Sequence, residues 1–142
     1  MKRNSLIAGL LCAVLWPMAA LGAARIDGPI EARLVRVIDG DTLVVVAEVW
    51  PGVEVETKVR LLGIDTPEIR RAACTAERQK GLRARGYVSA AMARGPVALT
   101  DIRHGKYAGR VLARVETEKG DLGRGLLRAG LAQPYKGKKS WC

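Results

Sequence analysis

The stretch that decides the fold is Arg60-Leu61-Leu62-Gly63-Ile64-Asp65-Thr66-Pro67-Glu68. It is an apolar strand pattern that begins with an arginine and ends in two carboxylates on either side of a proline. Proline has no backbone N–H and pushes the residue before it towards an extended conformation, so we expect the strand to end near Asp65 and the chain to turn. Carboxylates gathered at the end of a strand do not serve packing, and they indicate a functional site.

A second stretch upstream has the same arrangement. Val37-Ile38-Asp39-Gly40-Asp41-Thr42 contains an apolar run, a tight Asp-Gly turn and a further carboxylate where the next strand begins. We expect Asp41 and Asp65 to meet at one end of a sheet around a hard cation. Asp39 has a simpler interpretation as a structural residue whose side chain bonds within its own turn.

The rest of the chain predicts a fold built mainly from strands. We predict strands over residues 30–38, 42–50, 53–64, 97–102 and 110–116, and helices over residues 74–95 and 122–129. The run 43–46 is apolar on both faces, which a closed barrel with a helix over its mouth would bury and an open sheet would not. The expected buried stripe of the first helix is Leu82, Ala84, Val88, Ala91 and Met92.

The strand that ends at Asp65 presents a geometric problem. Strict alternation places Arg60 on one face of this strand and Asp65 on the other. Both side chains reach one site only if the strand twists or bulges, and Gly63 is the expected position for this irregularity.

Three motifs in the same order give the chain a close resemblance to the staphylococcal nuclease (thermonuclease-like) family of calcium-dependent phosphodiesterases. They are Asp-Gly-Asp-Thr at 39–42, the arginine and Asp-Thr-Pro-Glu of 60–68, and Lys106-Tyr107-Ala108-Gly109-Arg110 in place of Tyr-Gly-Arg. The similarity runs from about residue 32 to residue 135. It implies an α+β fold, mainly β, with a five-stranded OB-fold barrel and two flanking helices.

The resemblance implies a Ca²⁺ site and a nucleotide site. Asp41, Asp65 and the backbone carbonyl of Thr66 are the expected ligands of Ca²⁺, which prefers oxygen. Aromatic rings can stack on bases. The residues expected to bind substrate are Lys106, Tyr107 and Tyr135.

The resemblance also implies the catalytic residues. Arg60 and Arg110 are expected to bind the phosphate oxygens bidentately, which lysine cannot do. Arg114 is the alternative to Arg110, because the additional Ala108 lengthens the family turn by one residue. Glu68 is expected to orient or deprotonate the attacking water. The implied reaction is cleavage of DNA and RNA, without selection of the sugar, to 3′-phosphate products.

Residues 1–24 have the pattern of a cleaved export signal. Lys2 and Arg3 precede an apolar stretch over 6–16, and small residues follow over 19–24. The apolar stretch is shorter than the roughly 18 to 20 residues that a membrane span needs. Cleavage after residue 22, 23 or 24 fits the pattern. We expect a periplasmic or extracellular protein without stable membrane association, whose single domain covers residues 25–142.

The predicted mature chain is strongly basic. Without residues 1–24, 118 residues remain, and the loss of Lys2 and Arg3 leaves 22 basic against 14 acidic residues, a net charge of +8. Such a charge favours an anionic partner such as nucleic acid or a membrane surface, although it also serves solubility. Together with the motifs, it leads us to expect DNA and RNA as substrates, single strands in preference, and a monomer.

Two cysteines, Cys74 and Cys142, remain after the predicted cleavage. In an oxidising compartment a lone pair is normally a disulfide, and no spacing here indicates a zinc site. The other interpretation is two free thiols. The chain stops where founding members of the family carry a third helix, and we expect the crosslink to replace the anchoring of that helix.

Several interpretations remain open on sequence alone. Six basic residues either contact phosphates or form a solvated face, and they are Arg70, Arg71, Arg78, Lys80, Arg83 and Arg85. His104 is expected on a loop and not as a second base. A non-catalytic OB module that binds single strands would need the basic groove but not the acids, so the presence of both favours an enzyme. An accessory of DNA uptake or conjugation would differ in biological role and not in chemistry.

Overall fold

The computed structural model describes residues 24–135 and 140–142, so the predicted export signal lies almost wholly outside the described residues. The strands are β1 (Arg25–Ile26), β2 (Ile30–Asp39), β3 (Thr42–Trp50), β4 (Val53–Leu61), β5 (Ile64–Asp65), β6 (Val97–His104), β7 (Arg110–Thr117), β8 (Gly120–Asp121) and β9 (Gln133–Pro134), and the helices are α1 (Thr75–Met92) and α2 (Leu122–Arg128). In this part of the chain, neither helix has the length and apolar character needed to cross a membrane.

Five long strands close into a barrel. β2, β3 and β4 form an antiparallel meander, and β6 pairs antiparallel with both β2 and β7. The parallel pairing of β4 with β7 completes the closure, with Arg60 opposite Leu112. A parallel pair needs a long crossover connection, and here that connection contains α1 and β6. The prediction of a mainly β, five-stranded OB-like barrel with two helices is confirmed.

The barrel interior is lined by the apolar residues of alternating strand positions. Leu43, Val45, Val59 and Val115 are completely buried. Val44 is also buried and Val46 is half-buried, as expected for a run that faces the barrel core on one side and is covered on the other. Removing such a side chain from water contributes roughly 1.5 to 3 kcal/mol for each residue.

Helix α1 covers the barrel with a different stripe from the predicted one. Ala84, Val88 and Met92 are buried as expected, whereas Leu82 is 39% exposed, so the prediction for Leu82 was wrong. The buried face instead includes Gly81, which packs against the segment after Pro67. Since neighbouring helical residues point in directions about 100° apart, the close approach of Gly81 turns Leu82 towards solvent.

The start of α1 is joined to the C-terminal residues of the described chain. Cys74 is the N-cap of the helix, and the predicted disulfide Cys74–Cys142 is present, with 6.2 Å between the Cα atoms. Lys80 donates from Nζ to the Trp141 carbonyl oxygen at 3.5 Å and lies 5.9 Å from the centre of the Trp141 ring. Of the six basic residues considered as phosphate contacts, Lys80 therefore binds the C-terminal segment, and the five arginines are exposed.

Candidate active site

Two carboxylates meet at one guanidinium at the end of the barrel. Arg60 donates from Nη1 to Asp41 Oδ1 at 2.5 Å and from Nη2 to Asp65 Oδ1 at 3.0 Å. The pairing of β3 with β4 sets Thr42 opposite Arg60, which brings Arg60 beside Asp41 in the adjoining turn. The expected convergence of Asp41 and Asp65 is therefore observed.

Gly63 provides the irregularity that lets Arg60 and Asp65 share a site. The strand predicted over 53–64 ends at Leu61, and Gly63 has a φ of +78°. This left-handed conformation is unfavourable for residues with a Cβ. The chain then continues as β5, whose Asp65 faces the same site as Arg60, so that strict alternation no longer applies.

Asp41 lies in a buried and strongly hydrogen-bonded environment. Its exposed fraction is 3%, and its Oδ2 accepts from the Thr66 backbone N–H at 3.0 Å while its Oδ1 accepts from Thr42 Oγ1 at 3.0 Å. Burial raises the pKa of Asp41 above its ordinary value, and Arg60 opposes this effect by favouring the charged form. Arg60 therefore favours the charged form of a carboxyl group whose burial favours the neutral form.

The chemistry of these residues fits a hard cation. Asp41 and Asp65 already converge on a positive group, and both offer oxygen donors. Within residues 24–135 and 140–142, no three histidine, cysteine, aspartate or glutamate side chains cluster as metal ligands. A metal at this place would therefore take two side-chain carboxylates and complete its shell with backbone carbonyls or water, a set that Ca²⁺ accepts.

A cavity of about 310 Å³ opens beside Arg60. Arg110, Lys106 and Tyr135 also line this cavity. Three further residues expected to bind substrate or act in catalysis therefore lie around the same cavity as Arg60. The Nε atom of Arg110 is buried and has no hydrogen-bond partner in the described part of the chain. An unpaired donor in such a place is costly unless a ligand accepts from it, which indicates a binding site for an anion.

Tyr107 lies over Arg110. The guanidinium carbon of Arg110 is 4.8 Å from the centre of the Tyr107 ring, and the ring itself is largely exposed. Arg114, the alternative to Arg110, donates instead to Asp121 Oδ2 at 3.4 Å. The additional Ala108 is accommodated in the turn, and the geometry favours Arg110 as the second arginine of the site.

Tyr135 reaches the cavity through a short pairing that the sequence pattern did not predict. β5 pairs with β9, with Asp65 opposite Gln133, and the Tyr135 backbone N–H donates to the Gly63 carbonyl oxygen at 3.0 Å. The two-residue strands carry no periodic signal. The pairing nevertheless fixes both Asp65 and Tyr135 next to Gly63.

Glu68 lines a second cavity, of about 230 Å³, together with Asp39, Arg70 and Arg71. Its side chain is exposed and makes no hydrogen bond or ion pair with the residues that the structure describes. The Oδ1 atom of Asp39 is buried and accepts no hydrogen bond from the described residues, so the expected bond of this atom within its own turn is absent. His104 is exposed at the end of β6, a strand and not the expected loop.

Sequence reasoning missed Glu77, a buried carboxylate in the first turn of α1. Its Oε1 accepts from the Glu68 backbone N–H at 3.3 Å and its Oε2 from the Ala73 backbone N–H at 2.6 Å. The available signal was a glutamate three residues after the N-cap, a position typical of capping interactions.

The family model described as staphylococcal nuclease homologue matches residues 58–141, more than half of the chain. The chain belongs to the staphylococcal nuclease homologue family. The match covers Arg60, Asp65 and Arg110 but begins after Asp41, which contacts the matched region through its ion pair with Arg60. No curated protein matches the chain.

Proposed function

We propose that this protein is an exported, Ca²⁺-dependent nuclease that hydrolyses the phosphodiester bonds of DNA and RNA to 3′-phosphate products. The observation that carries the proposal is the double ion pair of Arg60 with Asp41 and Asp65, placed beside a cavity that Arg110 also lines. This arrangement supports the proposal because it brings together guanidinium groups, which bind phosphate oxygens, and carboxylates, which bind a hard cation.

The two arginines would neutralise the charge that grows on the phosphate in the transition state. A guanidinium offers two parallel N–H donors to two phosphate oxygens, and Arg110 has an unpartnered Nε in the site. Removing one such donor from an active site typically lowers the rate by about 10² to 10³. On substrate binding, some N–H groups of Arg60 would donate to phosphate oxygens in place of the carboxylates of Asp41 and Asp65.

Asp41, Asp65 and the Thr66 carbonyl would hold Ca²⁺. When bound, the ion would supply positive charge next to the phosphate and polarise the attacking water. Glu68 would accept a proton from that water, since its exposed carboxylate lines a cavity and forms no ion pair with the described residues. The oxygen of the water would bond to phosphorus while the bond between phosphorus and the 5′ oxygen breaks. The 5′ oxygen would take a proton from solvent and leave as a hydroxyl, and the phosphate would stay on the 3′ side.

Substrate selection would come from Lys106, Tyr107 and Tyr135. The two exposed tyrosine rings can stack on bases of any identity, which suits single strands of DNA or RNA in preference to duplexes. Contacts to phosphate and metal carry no sequence information. We therefore propose a monomeric enzyme that selects neither sugar nor base strongly and acts outside the cytoplasm.

The decisive experiment measures degradation of single-stranded DNA by the purified protein with Ca²⁺ and with a chelator. Wild-type protein is expected to cleave only with Ca²⁺, and Glu68→Gln is expected to lose that activity. Glu56→Gln is the matched control, because it removes an exposed carboxylate on β4. Tight, salt-sensitive binding without cleavage in Ca²⁺, Mg²⁺ or Mn²⁺ would instead identify a non-catalytic OB module that binds single strands.

A further inference from the structure

One face of α1 rests on the two segments that carry the acidic residues of the site. The buried residues of this face include Glu77, Gly81 and Ala84. Their spacings of four and three residues place them side by side along the helix. Glu77 and Gly81 lie against the backbone of Pro67 and Glu68. Ala84 lies against Gly40, the residue before Asp41.

Glu77 makes an unusual set of contacts for its position. A glutamate at the third position of a helix ordinarily accepts from the backbone N–H of the N-cap residue. Glu77 reaches beyond Cys74 and accepts from the N–H of Ala73 at 2.6 Å and from that of Glu68 at 3.3 Å. Glu77 is only 7% exposed and forms no ion pair with the described residues. Its hydrogen bonds therefore fix both ends of segment 68–73.

Gly81 brings the helix backbone against the same segment. A Cβ at this position would lie 2.7 Å from the Pro67 carbonyl oxygen and 3.0 Å from the Glu68 carbonyl oxygen. The first distance is too short for any side chain without a shift of the backbone, and the second is tighter than most contacts of a Cβ atom. Gly81 thus sets how closely the Glu68 backbone approaches α1, independently of the hydrogen bonds of Glu77.

Ala84 extends this contact to the other acidic turn. A Cβ on Gly40 would lie 2.6 Å from the Ala84 Cβ and 2.9 Å from Thr66 Oγ1. Gly40 immediately precedes Asp41, so the turn before Asp41 also rests on α1 at a distance that only glycine allows. The segments that carry Asp41 and Glu68 are separate in the sequence, and both pack against the same face of α1.

We propose that the face of α1 formed by Glu77, Gly81 and Ala84 is a positioning surface that fixes Glu68 relative to Asp41. Glu77 is the residue of this surface that holds the Glu68 backbone, and it touches no reacting atom. The inference rests on the proposed nuclease function for its effect on rate. The geometry that it describes is measurable without any activity.

The experiment compares three variants of the full chain. Glu77→Gln keeps the size of the side chain but turns one of its two acceptors into a donor. We expect the remaining oxygen to keep the shorter bond, to the Ala73 N–H at 2.6 Å, so that the longer bond to the Glu68 N–H is lost. Gly81→Ala places a methyl group against the Pro67 and Glu68 carbonyls. Gly86→Ala is the matched control on the same helix, because a Cβ there meets nothing within 4 Å. The measurements are kcat and KM on single-stranded DNA with Ca²⁺, thermal melting, and hydrogen exchange of the Glu68 amide by NMR.

Glu77→Gln and Gly81→Ala are expected to lower kcat by about 10-fold to 10²-fold, the size of effect that a misplaced catalytic group produces. KM should stay within about threefold, because the phosphate-binding arginines are untouched. The Glu68 amide should exchange about tenfold faster or more in Glu77→Gln, since its acceptor is lost. Gly86→Ala should match wild type in kcat, KM and exchange.

Two results would overturn the proposal. One is a folded Glu77→Gln or Gly81→Ala variant that melts at a lower temperature but keeps the wild-type kcat, which would show that the face only stabilises the fold. The other is an unchanged exchange rate of the Glu68 amide in Glu77→Gln. If Glu77→Gln does not fold, Gly81→Ala decides. If wild-type protein cleaves nothing, the proposed function fails, and amide exchange alone supports or overturns the positioning surface.

Discussion

At the scale of single residues, Arg60 connects the two carboxylates of the site, Asp41 and Asp65. Asp41 belongs to the turn after β2 and Asp65 to β5, and separate nitrogens of Arg60 contact them. A buried carboxylate such as Asp41 is costly unless it is paired. Arg60 therefore has a structural role in the free protein besides the proposed role at the phosphate, and the two roles need the same planar fork.

Arg60→Lys tests the need for this fork. We expect kcat/KM on single-stranded DNA to fall by about 10², because one ammonium cannot serve both carboxylates and the phosphate. The control is Arg33→Lys, which alters an exposed arginine paired with Glu54 at 2.6 Å and should leave kcat/KM unchanged. Wild-type kcat/KM in Arg60→Lys would refute bidentate binding by Arg60.

Asp101 gives a prediction for the pH dependence of stability. Hydrogen bonds from Arg103 hold the pKa of Asp101 below the ordinary value of 3.8. The unfolded chain therefore binds more protons in this range than the folded protein. The stabilisation by Asp101 is present above pH 3.8 and is lost as the pH falls through the lower pKa of the folded state.

Asp101→Asn should remove this pH-dependent contribution. The difference in melting temperature between wild type and Asp101→Asn is expected to be largest near neutral pH and to shrink below the ordinary pKa of 3.8. Thermal melts of both proteins across the acid range provide the measurement. A difference that stays constant or grows on acidification would contradict the assignment.

At the scale of secondary structure elements, the break between β4 and β5 places Asp65. Gly63→Ala forces a residue with a Cβ into a left-handed conformation, which should cost about 1 to 2 kcal/mol. Gly52→Ala is a matched control, since Gly52 has a φ of +76° against +78° for Gly63 and neither Cβ would meet another atom within 4 Å. Both variants should lose similar stability in urea unfolding, and only Gly63→Ala should lose nuclease activity. Equal activities would show that Gly63 does not orient the site.

The elements that the sequence predicts well are those with a long periodic pattern. The strand from Thr42 to Trp50 matches its prediction to the residue, because its β-branched run is bounded by clear turns. The irregularity at Gly63 was predictable only with the help of the family resemblance, which implies that Arg60 and Asp65 share one site.

The features that the sequence did not predict depend on contacts between distant parts of the chain. β5 and β9 are too short to show a period, and their pairing depends on where the chain after α2 returns to the barrel. The buried face of α1 contains a glycine and a glutamate, which hydrophobic patterning assigns to solvent.

At the scale of the whole molecule, the disulfide joins residues that are 68 positions apart. Replacing both cysteines with serine should lower the free energy of unfolding by about 4 kcal/mol in the chain-entropy model. Serine at position 74 keeps an N-cap acceptor for the Glu77 N–H, so the double variant isolates the crosslink. Urea unfolding provides the measurement, and unchanged stability would show that the crosslink does not constrain the unfolded chain.

Removal of metal should separate activity from stability. We expect a chelator to abolish cleavage while the melting temperature changes by only about a few degrees, because Arg60 still pairs both carboxylates. Thermal melts with Ca²⁺ and with a chelator, on the same preparation as the cleavage assay, test this expectation. Unfolding on chelation would show that the metal is structural.

The double ion pair of Arg60 has a consequence for how such an enzyme is controlled. In many small metal-binding domains the ligands repel one another until the ion arrives, and folding and metal uptake are one event. Here a cation of the chain itself stands between Asp41 and Asp65 from the start. Under the proposed function, the protein would complete its synthesis and folding in surroundings poor in calcium without cleaving nucleic acid there, and the calcium concentration outside the cytoplasm would determine when hydrolysis begins.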